Sequence, residues 1–242
     1  SMSHASHMKR ALELALKGWP AVQPNPMVGC VITHGGKIVA EGYHEKFGGP
    51  HAEVNAIKAL PKDIDPAGCT LYVTLEPCRH HGKTPPCADH IIKKGFKRVV
   101  VATMDPNPLM AGSGVRLLLE AGIEVITNIL EQEARYQNRR FMTFYECKRP
   151  YVFLKWALSA DGFISRQPVP AKRDQNMVTR AEAQKLAHQL RSECMAVLVG
   201  KNTILADNPQ LTARHVKGPS PVRAFIDRSL QVPETAAVFS GD

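Results

Sequence analysis

Residues 70–104, "TLYVTLEPCRHHGKTPPCADHIIKKGFKRVVVATM", decide the fold. Residues 70–75 are rich in β-branched and aromatic side chains, which suit a pleated, half-buried strand. Residues 86–95, "PCADHIIKKG", read as a helix with lysines in its last turn and Gly95 as its stop. Residues 97–104, "KRVVVATM", read as a second strand. Strand, helix, strand in this order predicts a sheet layered with helices, the α/β class.

The same alternation continues outward. "MVGCVIT" (27–33) and "KIVAEGYH" (37–44) flank His34-Gly35-Gly36, a hairpin signal. A helix is predicted at 51–60, and "GVRLLLEAG" (114–122) leads into a strand at 123–129. "MKRALELALKG", from Met8, has helical periodicity and a glycine stop at Gly18. Residues 131–150 are polar and charged, and the alternation is expected to restart with "YVFLKWALSADGFIS". A boundary near 147 is therefore expected, giving domains at 1–147 and 148–242. The second domain is read as a helix from Thr179 to about Ser192 and strands at 196–200 and 222–228.

The 242 residues are 44% hydrophobic and 22% charged, which suits one large domain or two small ones. No run approaches the roughly 18 apolar residues of a membrane span, and the N-terminus lacks the apolar core and cleavage site of a signal peptide. A cytoplasmic protein without membrane contact is expected. The net charge of +9 points to an anionic partner, but the basic residues are dispersed and only 6% of residues are aromatic. That pattern fits a phosphorylated small molecule better than nucleic acid, and it leaves a homo-oligomer open.

Six cysteines stand at 30, 69, 78, 87, 147 and 194, without the spacing of a disulfide framework. Cys30, Cys69 and Cys194 read as core thiols, and Cys147 falls in an expected linker. Cys78 and Cys87 each follow a proline near an expected helix start, where a thiol ionises more easily. Upstream, "PHAEVNAIKAL" (50–60) sets His51 two positions before Glu53 at another helix start. Taken alone, that pair also suits a plain helix opening with a proline and an early acid. His51, Cys78 and Cys87 together fill three zinc positions and leave a fourth for water, the catalytic type of site. A structural site would need a fourth side chain, for which His80, His81 and His90 are candidates. Zinc lowers the pKa of its water, and Glu53, which is not a ligand in this reading, would carry protons to the departing nitrogen. His-x-Glu with two cysteines is the pattern of zinc nucleobase deaminases, here with Cys-x8-Cys in place of the short Cys-x-x-Cys.

"HAE", "TLEPCRHHGKTPPC", "PNPMVGCVI" and "DPNPLMAGSG" together resemble the deaminase half of the bifunctional deaminase–reductase family of riboflavin biosynthesis. The resemblance implies a cytidine-deaminase-like three-layer α/β/α domain. It also implies a 2,5-diamino-6-(ribosylamino)pyrimidinone 5′-phosphate substrate that loses its 2-amino group as ammonia. By this similarity Asn25 and His44 contact the base or sugar, His80 and Lys83 the phosphate end, and Asp105 and Asn107 the ribose side. Each of these also has a plain reading as a turn or solvated loop residue. Rival readings are a cytidine, guanine or transfer-RNA adenosine deaminase, and a non-catalytic zinc module that binds a phosphorylated ligand.

"KWALSADGFIS", "HQLRSECMAVLVGKNTILADNPQLTAR" and "PVRAFID" resemble the same family's reductase, a dihydrofolate-reductase-like α/β domain that uses NADPH. The resemblance places Lys155, Arg191, Leu211 and Arg214 at the substrate, and Thr203 and Asp207 on the NADPH side. Thr179 also suits a capping box with Glu182. Two departures stand out. Gln175 and Met177-Val178-Thr179 replace a serine and a Trp-Ile-Thr run common in the family, so an aromatic platform is missing. The family's domain also runs on past the equivalent of residue 242, so only its first part is expected here.

Overall fold

The computed structural model describes residues 3–80, 84–165 and 177–241. The chain divides into two compact units, Ser1–Val152 and Phe153–Asp242.

In the first unit, strands β1 (Gly29–His34), β2 (Lys37–Tyr43), β3 (Cys69–Leu75), β4 (Arg98–Thr103) and β5 (Glu124–Ile126) form one sheet, in the order β2-β1-β3-β4-β5. β1 runs antiparallel to both of its neighbours, and β3, β4 and β5 are parallel. The β1–β2 turn works as its sequence predicts, because Gly35 and Gly36 take φ of 57° and 76°, the left-handed region such hairpins require.

Helices α2 (Ala52–Ala59), α3 (Cys87–Lys94) and α4 (Ser113–Glu120) cover one face of the sheet. Their Ala56, Ile91 and Leu118 are buried against Ile32, Leu71, Val73, Val99 and Val101. Helix α1 (His4–Leu16) and α5 (Glu131–Gln137) cover the other, with Met8, Ala11, Leu12 and Ala134 against Val31, Tyr72 and Val100. The expected three-layer α/β/α architecture is the one observed. Alternation makes it possible: in β3 and β4 successive buried side chains enter opposite clusters. α2 lies so close to β2 that a Cβ on Gly42 would stand 2.3 Å from the Ala56 nitrogen.

Several sequence expectations need correction. α1 starts at His4, with Ser3 capping the Ser6 N–H, four residues before Met8. The polar stretch 131–150 contains two helices, α5 and α6 (Arg139–Cys147), so Cys147 ends a helix and is exposed. Between them Asn138 is buried and clamps Met27 on both sides: its Oδ1 accepts from Met27 N (2.8 Å) and its Nδ2 donates to Met27 O (2.7 Å). A partner 111 residues away is invisible to local pattern.

The second unit contains α7 (Ala181–Glu193), β6 (Ala196–Gly200), α8 (Lys201–Asp207) and β7 (Val222–Ile226), with β6 and β7 parallel. Its core is Ile204, Leu211, Ala236 and Val238. Alternation does not restart at 151, since residues 151–159 form neither helix nor strand. Thr179 is not the helix start either: Arg180 occupies the N-cap position, without a side-chain cap. Cys194 is half-buried at the end of α7 rather than in the core. Gln175 lies outside the described residues, and Met177 is exposed. Among the described residues, no helix is long and apolar enough to cross a membrane.

Candidate metal centre

Three elements of the first unit bring the expected ligands together. His51 is the N-cap of α2, Cys78 lies in the loop after β3, and Cys87 is the first residue of α3. Their ligand atoms all lie within 4.8 Å of one another, the only such group of three among the described residues. His51 Nδ1 is 3.3 Å from Cys87 Sγ and 3.6 Å from Cys78 Sγ. Tetrahedral donors about 2.0–2.3 Å from a zinc ion would stand roughly 3.5 Å apart, so the spacing fits.

Both thiols stand near a helix start, as expected, with Cys87 the first residue of α3. Cys78 benefits from that helix start, because the Cys87 N–H donates to Cys78 Sγ at 3.3 Å. The Cys78 thiol is drawn down to about 4, chiefly by its hydrogen bond with Cys87, then by His51 and that N–H. Cys87 is pushed upward by Cys78, by burial and by Glu53. Two adjacent thiolates therefore need added positive charge, which a divalent cation provides, and one imidazole with two sulfurs is a donor set that suits zinc.

Glu53, in the first turn of α2, is only 3% exposed. Burial, then the Cys78 charge, pushes its carboxyl up to about 7, and it reaches the Cys87 thiol by a hydrogen bond. A carboxyl so placed can both accept and return a proton near neutrality.

Asn25 and His44 join the same locality. His44 is buried, and its ring meets the His51 ring edge-on at 5.5 Å. His44 Nδ1 donates to Pro50 O (2.9 Å), and Nε2 accepts from Asn25 Nδ2 (3.2 Å). Those bonds fix one neutral tautomer, and burial, followed by the nearby His51, lowers the His44 pKa despite the Pro50 bond. Asp105 and Asn107 follow β4 in one loop, where Asp105 Oδ1 accepts the Asn107 N–H at 2.8 Å. Burial raises the Asp105 pKa, with smaller contributions from Glu76 and Cys78. His80 is exposed two residues past Cys78, and Lys83 and His81 lie outside the described residues. Neither His80 nor His90 joins the three-ligand group.

In the second unit Arg191 and Arg214 meet around Thr212. Arg191 Nη1 donates to Thr212 O (3.4 Å) and Arg214 Nη1 to Thr212 Oγ1 (2.9 Å). Sequence reasoning missed His188, whose Nδ1 accepts the Arg214 N–H at 2.9 Å and whose pKa is lowered by burial, Arg191, Arg214 and His215. Thr203 and Asp207 share α8. The Leu211 side chain is buried in the core, which leaves its backbone as the part that could meet a ligand, and Lys155 is exposed in the irregular segment.

Residues 1–103 match the family described as the cytidine and deoxycytidylate deaminase zinc-binding region, and residues 150–242 match the RibD C-terminal domain. The riboflavin biosynthesis protein RibD of Aquifex aeolicus is 50% identical over 97% of this chain and 65% of its own length. That of Actinobacillus pleuropneumoniae is 45% identical over 96% of this chain and 60% of its own. The chain thus spans less than two thirds of the length of these curated relatives. A crystal structure of a diaminohydroxyphosphoribosylaminopyrimidine deaminase/5-amino-6-(5-phosphoribosylamino)uracil reductase from Thermotoga maritima superposes with a TM-score of 0.86. It is 46% identical and covers 98% of this chain and 67% of that one. By that likeness, and by two domain families met in the same order, the chain belongs to the RibD family of riboflavin biosynthesis.

Proposed function

We propose that the first unit hydrolytically deaminates 2,5-diamino-6-(5-phosphoribosylamino)pyrimidin-4(3H)-one, and that the second serves the NADPH-dependent reduction of the ribosyl group to ribityl. One observation carries the deaminase reading: His51, Cys78 and Cys87 converge beside a carboxylate buried as deeply as the core. The Thermotoga relative, described as a deaminase/reductase, supports the pairing of activities.

Zinc held by His51 Nδ1 and the two sulfurs would supply a Lewis acid that lowers the pKa of bound water. Glu53 then does the proton work. It takes one proton from water as oxygen adds to the carbon bearing the 2-amino group, delivers it to the ring nitrogen, and passes a second to the departing amine. Water and substrate become ammonia and the carbonyl product, so protons and electrons balance. Asn25, held by His44, has its amide oxygen for the base, and neutral His44 keeps positive charge away from the metal ligands. His80 and Lys83 would meet the phosphate, and Asp105 and Asn107 the ribose.

For the reductase, Arg214, with Leu211, would lie toward the substrate phosphate, since a guanidinium fork binds it bidentately. Lys155 and Arg191 would complete the substrate side, and Thr203 and Asp207 the NADPH side.

The test is ammonia release by the zinc-loaded chain, offered the ribotide, cytidine, guanine or a transfer-RNA anticodon stem, each with and without chelator. Chelator-sensitive release from the ribotide alone is expected. Release from another substrate alone would assign a different deaminase activity, and none despite bound zinc would favour a binding module. NADPH oxidation with the deaminated ribotide tests the second activity.

A further inference from the structure

We propose that Glu76 is a positioning residue that sets the Asp105–Gly112 loop, and thereby affinity for the sugar side of the substrate. The inference rests on the reading of Asp105 and Asn107 as ribose contacts. Glu76 follows β3 directly and is only 5% exposed. A carboxylate at that depth is costly unless its oxygens are satisfied. Four backbone N–H groups satisfy them, all from one segment 29 to 39 residues downstream.

The two oxygens have separate tasks. Oε1 accepts from Gly114 N and Val115 N, both at 3.1 Å. Those are the second and third residues of α4, donors that a helix start leaves without intrahelical partners, and the Gly112 N-cap offers no side chain for them. Oε2 accepts from Asp105 N (3.0 Å) and Gly112 N (3.1 Å), so a single atom ties both ends of the loop. Within it, Asn107 N donates to Asp105 Oδ1 and Leu109 N to Asn107 Oδ1, so the two expected ribose contacts inherit the position of those ends. Gly114 lets α4 close on this strand end, because a Cβ there would stand 1.9 Å from Pro77 O.

A helix cap alone would affect stability and leave substrate affinity unchanged. The test compares Glu76→Asp, Glu76→Gln, Asp105→Ala and the Glu76→Asp/Asp105→Ala double variant in the zinc-loaded full chain. KM and kcat for the ribotide, zinc stoichiometry and Tm are measured on each. Glu76→Asp should raise KM roughly tenfold, the scale of a lost charge-assisted hydrogen bond, with kcat within about threefold and zinc retained. The double variant should have a KM no higher than Asp105→Ala, because both changes act through one loop. Glu76→Asp keeps the charge and carries the test if Glu76→Gln does not fold.

A lowered Tm with unchanged KM would overturn the inference and leave a plain cap. Loss of zinc or of kcat would overturn it by placing the effect at Cys78, and additive KM effects would overturn it by separating Glu76 from the loop. Asp105→Ala without a KM change would remove the ribose reading itself. Asp105→Ala with a raised KM, beside a silent Glu76→Asp, would overturn this inference alone.

Discussion

The two units use apolar surface differently. In the first, both faces of a five-stranded sheet are covered, and residues such as Leu71, Val99 and Val100 are fully buried. In the second, Val197, Val199 and Phe225 pack against a four-residue core, while Leu198, Val222 and Ile226 on the same two strands are 62%, 70% and 59% exposed. The lesson is about sites. Where both faces are packed, residues from α2, the loop after β3 and α3 are held within bonding range of one another, with a buried carboxylate beside them. In the second unit, the described residues gather Arg191 and Arg214 around Thr212 and His188.

Mutations can break this contrast. The largest effect is expected at the metal centre, where His51→Ala should abolish zinc retention and with it essentially all ammonia release, as read by metal analysis and assay. Next come matched core probes, followed by denaturant unfolding. Leu71→Ala should cost about 2–5 kcal/mol because it leaves a cavity in a closed core, whereas Leu198→Ala should change stability by about 0.5 kcal/mol or less. Equal losses would mean that the two units are packed alike.

A smaller, pH-dependent effect should sharpen the comparison. His188 is held neutral, its pKa below the ordinary value of about 6.5 through burial and the charges of Arg191, Arg214 and His215. The unfolded chain therefore takes up a proton first, so this contribution is present above about pH 6.5 and is lost as pH falls through the lowered value. Hydrogen exchange at the Arg214 amide, whose acceptor is His188 Nδ1, should lose protection as pH is lowered from 7.5 to 5, after correction for intrinsic exchange. The smallest effect is at the rim of the first unit. Arg10 binds Glu41 through two bonds, 2.7 and 3.0 Å, and the hydrogen bond lowers the Glu41 pKa. Because the pair is partly exposed, Glu41→Gln should cost about 0.5 kcal/mol at neutral pH, and less at high salt.

Much of this was legible in the sequence for definite reasons. The hairpin at Gly35-Gly36, the strand at 70–75 and the helix stopped by Gly95 are set by local chemistry, and His51, Glu53, Cys78 and Cys87 are marked by residue type. What escaped depends on distant partners. Helix α5 has a polar sequence, α6 is amphipathic, with Phe141, Met142 and Tyr145 set among polar residues, and the Asn138 clamp that anchors their junction reaches Met27 across the chain. "YVFLKWALS" has a strand's composition, yet residues 151–159 form no strand, because composition alone supplies no ladder partner. Glu76 stood in view in "TLEPC", but nothing local reveals that its oxygens serve a loop and a helix about thirty residues on.

The most direct measurement is ammonia release from the phosphoribosylaminopyrimidine by Glu53→Gln, with zinc content determined on the same sample. Glutamine keeps the shape and removes the proton carrier. One zinc per chain is expected, as in the unsubstituted protein, with deamination reduced by about 10²–10⁴-fold. A variant that keeps its zinc and deaminates at the unsubstituted rate would contradict this expectation.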